Sequence, residues 1–182
     1  MTKLNDIIAF NKNFVASRSY EPFVTDRYPD KKIVIVTCMD TRLVELLPKA
    51  MNLKNGDAKI IKIAGPVVAA PFGSVMRSIL VAIYALGVEE IYVIGHHDCG
   101  MTGMDHIKIL EKAQAAGIDP AILNTLQHAG VDLKSWLTGF DSPADGVNAS
   151  VKMIRNHPLI PKSIQIHGLL MHPDTGQLDL LT

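Results

Sequence analysis

The stretch "EEIYVIGHHDCGM" (Glu89–Met101) starts as an apolar, β-rich run and breaks at Gly95 into two histidines, an aspartate and a cysteine within four positions. A run of four to eight apolar residues bounded by turn formers reads as a buried strand. The polar burst then lies in the loop that leaves its carboxyl end. His96-x-x-Cys99 alone is a frequent chance spacing, and a lone cysteine is usually a small buried hydrophobe. The meaning of this segment therefore depends on what the rest of the chain brings next to it.

Three other runs have the same character: "KKIVIVT" (31–37), "AKIIKIA" (58–64) and "SIQIHGLLM" (163–171). All read as buried parallel strands. Between them the periodicity predicts helices over 42–51, with Pro48 as a point of kinking, and over 74–86, stopped by Gly87. Further helices are expected at about 105–116, at 120–129 with Asp119 as N-cap and Pro120 in the first turn, and at about 143–156. "HPDTGQLDLLT" reads as a turn and a final edge strand that forms a hairpin with 164–171. Strands alternating with helices predict an α/β fold: a mainly parallel β-sheet flanked by helices on both faces, with a C-terminal edge hairpin.

The chain of 182 residues, 48% hydrophobic with a mean hydropathy of +0.19, suits one domain over 1–182. "MTKLNDIIAFNKNFVAS" reads as an amphipathic helix, an N-terminal arm over 1–17, because Asp6 and several asparagines interrupt what a signal peptide would need to be apolar. The longest apolar run, Ile79–Leu86, falls far short of the ~18 residues of a membrane span. Eighteen basic and eighteen acidic residues balance, with no basic block interleaved with aromatics. The expectation is a cytoplasmic protein with a small-molecule substrate, engaging neither nucleic acid nor membrane. The 74–86 helix is apolar over too much of its circumference for a one-sided surface helix. The amphipathic arm also needs a surface to cover. Both predict a homodimer or higher homo-oligomer.

In such sheets ligands gather beyond the carboxyl ends of the strands, where the strand order reverses. The 31–37 strand empties into "TCMDTRL", which supplies Cys38, Asp40 and Arg42; the 89–95 strand supplies His96 and Cys99. Two thiols and one imidazole converge there. As ligands they leave one corner of a zinc tetrahedron open, the pattern of a catalytic site with three protein ligands and one Zn2+ per chain. Cys38 and Cys99 are also the only cysteines, and they form no CxxC pair.

Cys38-x-Asp40-x-Arg42 followed by His96-x-x-Cys99-Gly100 resembles the zinc site of the β-class carbonic anhydrases. "GDAKIIKIAG", "VAIYALGVEEIYVIGH", "DCGM", "PLIP" and "HGLL" followed by "TG" are similar in order and spacing to the compact prokaryotic, cab-type branch. The resemblance implies Cys38, His96 and Cys99 as metal ligands, Asp40 and Arg42 as a catalytic dyad, and Lys59 and the Gly65 backbone as pocket lining. It implies reversible hydration of carbon dioxide to bicarbonate, in a dimer whose site lies near the subunit interface and whose N-terminal helix reaches over the neighbour. One departure stands out: the family usually has asparagines on both sides of an Ala-Gly pair, where this chain has Ile63-Ala64-Gly65-Pro66. Pro66 also lacks a backbone donor. Slower turnover is therefore expected, raised when asparagine is restored at both positions. Hydrolysis of carbonyl sulfide or carbon disulfide, or zinc binding without catalysis, are the alternatives.

Other groups carry plainer expectations. His97 reads as a loop residue, Asp98 as either a partner of the site or a turn former, and His167 as a core histidine. His106, His128, His157 and His172 read as surface. Met101 and Met104 read as packing.

Overall fold

The computed structural model describes residues 2–182. Five strands form one sheet in the order β2-β1-β3-β4-β5: β1 (Ile33–Cys38), β2 (Ala58–Ile63), β3 (Glu90–His96), β4 (Gln165–Met171) and β5 (Leu178–Leu180). The first four are parallel, and β5 closes the expected hairpin antiparallel to β4. β1 reads IVIVTC and is buried at every position, as a central strand covered on both faces should be. β2 does not share that burial. It is a sheet edge, its residues are half-buried, and Ile60 is exposed, so the expectation that this run is a buried strand is corrected. Apolar composition alone does not separate an edge strand from a central one.

The chain runs from β1 out to β2 on one side and returns to β3 on the other. The carboxyl ends of β1 and β3 are thus neighbours at the point where the strand order reverses, which leaves a crevice between their loops. Alternation along β1 splits the core. Ile33 and Ile35 face α2 (Leu43–Ala50) through Leu43 and Leu47, while Val34 and Val36 face α3 (Ser74–Leu86) and α7 (Pro143–Arg155) through Met76, Ile79, Val147 and Ile154. α2 continues through Pro48, and α3 ends at Gly87 in the left-handed region, φ 71°.

α4 (His106–Ala115) and α5 (Pro120–His128) begin where expected, each with an aspartate side chain accepting an N–H of the first turn. α6 (Leu133–Leu137) was not anticipated; five residues are too few to show a period, although Asp132 caps it in the same way. α1 (Lys3–Ala16) has no buried residue, and Leu4, Ile7 and Phe10 are each more than 60% exposed. Of the expected arm, Met1 lies outside the described residues. No helix among the described residues is long and apolar enough to cross a membrane.

Two histidine expectations are overturned. His157 is buried rather than on the surface: the turn after α7 tucks its ring edge-on against Phe72, centroids 5.2 Å apart, and Leu159 N–H donates to its Nδ1. His167 is half-buried rather than in the core, stacked near Tyr92 with Nε2 3.4 Å from Glu90 Oε2.

Candidate metal centre

Cys38 ends β1 and His96 ends β3. Beyond His96 the chain turns through Asp98, held at φ 53°, and returns Cys99 beneath the end of β1. This one-residue visit to the left-handed region lets a three-residue spacing bring the His96 ring and the Cys99 sulfur to one side. Aspartate tolerates that conformation better than most residues. Cys38 Sγ, Cys99 Sγ and a His96 ring nitrogen all lie within 4.8 Å of one another, and all three residues are buried.

The cluster fits a zinc ion. The two sulfurs are 3.9 Å apart, far beyond a disulfide bond. Two thiolates at ~2.3 Å from a tetrahedral zinc would be separated by about 3.8 Å. His96 Nδ1 is bonded to the His97 carbonyl at 2.8 Å and so carries the proton, which leaves the Nε2 lone pair free. Among the described residues Nε2 is buried with no partner at hydrogen-bond geometry and with the Cys38 sulfur and Asp40 beside it, a cost that a metal ion would remove.

The protein also prepares a thiolate. The Cys99 S–H is the largest influence holding the Cys38 thiol well below its usual value; burial opposes it, and His96 with the Asp40 and Gly65 backbone N–H groups adds to it. Cys99 is pushed up by the same contact and by burial, so the pair shares one proton. Burial works against a charged His96 ring, but the Cys38 sulfur, the His97 carbonyl and Asp40 outweigh it and the net shift is upward.

Beside the cluster Arg42 holds two loops together. Its Nε and Nη2 donate to Asp40 Oδ1 and Oδ2 at 3.1 and 2.9 Å, while Nη1 donates to Asp98 Oδ2 and Nη2 to the Asp98 carbonyl, both at 3.1 Å. Asp98 is therefore both turn former and partner of the site. The Arg42 hydrogen bonds hold the Asp40 carboxyl down at about 2, so it is ionised at any ordinary pH. Its Oδ2 lies 3.8 Å from His96 Nε2, so Asp40 borders the space the ligand atoms face.

A cleft of about 390 Å³ opens over Cys38 and Asp40, walled by Met39, Ala64, Gly65, Met101 and Met104. Met101 and Met104 thus pack as apolar wall, as expected. Gly65 sits at φ 65°, and a Cβ there would lie 2.7 Å from Met101 Cγ and 2.8 Å from Phe140 Cε1. Gly65→Ala is expected to cost about 2 kcal/mol from the left-handed backbone alone, lowering Tm by roughly 5 °C in a thermal melt.

Lys59 does not join them. It pairs in register with Val34, four residues before Cys38, or about 13 Å down the strand. Lys62 is the nearer lysine: burial lowers its pKa, and Cys38 and Asp40 pull it back. Ile63 is also absent from the cleft, since it packs with Ile61 against the core beneath α3. The Pro66 carbonyl accepts the Ser150 hydroxyl at 2.9 Å, and that hydroxyl accepts Val68 N–H at 3.0 Å. Asparagine at 63 would therefore bury an amide in apolar surroundings, so Ile63→Asn is expected to cost about 1–2 kcal/mol in denaturant unfolding instead of simply restoring rate.

The family model for carbonic anhydrase matches residues 33–178, a span that holds the whole cluster and dyad. The chain belongs to the β-carbonic anhydrase family. Its fold superposes on the crystal structure of β-carbonic anhydrase isoform I from Trichomonas vaginalis with a TM-score of 0.90 and 38% identity, covering 100% of this chain and 98% of that one. It is 58% identical over 181 residues to Bacillus subtilis YvdA, itself only provisionally assigned as a carbonic anhydrase, covering 100% of this chain and 92% of the relative. A carbon disulfide hydrolase of Saccharolobus solfataricus is 30% identical over 161 residues, 82% of this chain and 76% of that protein. β-Carbonic anhydrases are zinc enzymes, and hydration of carbon dioxide is a general property of the family.

Proposed function

We propose that this chain is a zinc lyase that hydrates carbon dioxide reversibly to bicarbonate, with Cys38, His96 and Cys99 holding the ion and Asp40 and Arg42 as the catalytic dyad. The observation that carries this reading is the orphaned, buried His96 Nε2 set between two thiols and beside a carboxylate that Arg42 keeps ionised. Zinc held there would act as a Lewis acid and supply a nucleophile from water. Two thiolates offset the metal charge and make that activation weaker than in an all-histidine site, which gives the neighbouring carboxylate a larger task. Asp40, fixed by Arg42, would accept a hydrogen bond from the O–H of the nucleophile and so orient that oxygen's lone pair into the cleft. The apolar walls of Met39, Met101 and Met104 suit a small linear substrate without charge.

Those features serve carbon disulfide and carbonyl sulfide equally well, and the 30% identical carbon disulfide hydrolase favours keeping this second reading. Stopped-flow assays of all three substrates on zinc-quantified protein separate them. Turnover of carbon dioxide supports the main reading, turnover of the sulfur substrates alone supports the second, and stoichiometric zinc with no turnover sinks both.

The protein is further proposed to be a single-domain homodimer or larger homo-oligomer acting in the cytoplasm, where two buried thiols stay reduced. Phe72, Tyr84 and the apolar side of α1 stand in the open in the single chain, more than is usual for a monomer. Light scattering is expected to give at least twice 19.9 kDa at micromolar concentration. A stable monomer would overturn this.

A further inference from the structure

We propose that His97 and His172 form a second, surface-exposed site for a divalent first-row metal ion that prefers imidazole nitrogen, such as Ni2+ or Zn2+. The juxtaposition follows from the sheet register. The parallel ladder ends on the pair His96 and Met171, both buried, so the next residues on the two strands are His97 and His172. Side chains alternate along a strand, and neighbouring strands lie about 4.8 Å apart; the two imidazoles therefore emerge side by side on the face opposite to the buried pair. Their ring centroids are 5.8 Å apart, with planes inclined at 50°. An ion held by one nitrogen of each ring at about 2.1 Å would set the centroids about 4.6 Å apart at an octahedral angle and about 5.3 Å at a tetrahedral one, so the two exposed rings must close by roughly 0.5–1.2 Å to complete the geometry.

The scaffold beneath them is fixed. His97 N–H donates to the Met171 carbonyl at 3.0 Å, and His172 N–H donates to the Gln177 carbonyl at 2.9 Å, so neither backbone must order on binding. The His97 ring has no hydrogen-bond partner among the described residues. Among the described residues the His172 ring accepts only the Asp174 N–H, 3.4 Å from Nδ1 and long enough to give up cheaply. Asp174 Oδ2 lies 4.0 Å from that same Nδ1, which places a negative charge beside the ring and favours a cation there. Arg42, which bonds Asp98 next in the chain to His97, is neutralised by Asp40 and Asp98. Two protein nitrogens leave the remaining positions to water, so the site binds reversibly and ranks ions in the Irving–Williams order.

The test is calorimetric titration of Ni2+ into the zinc-loaded protein, beside His97→Ala, His172→Ala and the double variant, with zinc content and circular dichroism checked in each. One Ni2+ per chain is expected in the wild type. Each single variant should bind at least roughly tenfold more weakly, because loss of either ring ends chelation. Equal binding by wild type and the double variant would overturn the site, as would loss in one single variant only, which would show one-point attachment. No zinc should be released during the titration; release would place the nickel at the cysteines instead.

Discussion

Cys99→Ser and Cys38→Ser proteins are expected to hold less than roughly a tenth of the zinc of the wild type and to lose carbon dioxide hydration to background. The two sulfurs differ in how they reach the thiolate state, yet neither can be spared. Cys38 is the thiol that ionises first, because Cys99 donates to it and the Asp40 and Gly65 N–H groups point at it. Replacing Cys99 removes both a soft ligand and the largest influence that prepares the other. Serine keeps the volume but offers a hard oxygen that does not ionise near neutral pH. Elemental analysis beside stopped-flow assay is the measurement, with circular dichroism to establish that the buried hydroxyl has not unfolded the chain. Full zinc in either variant would remove these residues from the site.

Arg42→Ala is expected to lower hydration about 100-fold while zinc content holds, since no metal ligand is touched. Arg42 makes four side-chain hydrogen bonds to Asp40 and Asp98, and so it links the loop after β1 to the loop after β3. Its loss leaves Asp40 free to rotate and returns its acidity toward the ordinary 3.8 from about 2. Because the folded value is depressed, the contribution of the pair to stability is complete above the ordinary value. It is lost as pH falls from about 4 to about 2. Arg42 is partly exposed, so the effect on acid unfolding should be modest, and Arg42→Ala should be nearly flat across that window. Arg42→Lys should recover only part of the rate, because an ammonium cannot make the fork to both carboxylate oxygens. Normal activity in Arg42→Ala would take the dyad out of the mechanism.

Much of this was legible in the chain because the chemistry-bearing residues sit at strand ends, where periodicity stops abruptly. The run IVIVTC and the run EIYVIGH announce two buried strands, and Cys38 and His96 are their last residues. Strand-helix alternation and the position of the two loops then suffice to bring Cys38, Asp40, Arg42, His96 and Cys99 together, as the structure does within the 4.8 Å cluster and the adjoining dyad.

What needed three dimensions was every feature that depends on which strand lies next to which. Composition made β2 look like the others, yet hydrogen-bond order makes it an edge and carries Lys59 to the Val34 level, away from the cleft. The direction of a side chain is likewise set by twist and neighbours. Ile63 turns to the core, His157 is swallowed by the turn against Phe72, and His167 stays half-open beside Glu90. Asp98 could be a turn former or a partner until its left-handed backbone and its bond to Arg42 were seen together. The pairing of His97 with His172, residues 75 apart in the chain, exists only through register. Local sequence encodes period, capping and the types of side chain placed at strand ends, because these act over a few residues. Strand order and register sum many weak contacts between distant segments, and no short stretch contains that sum.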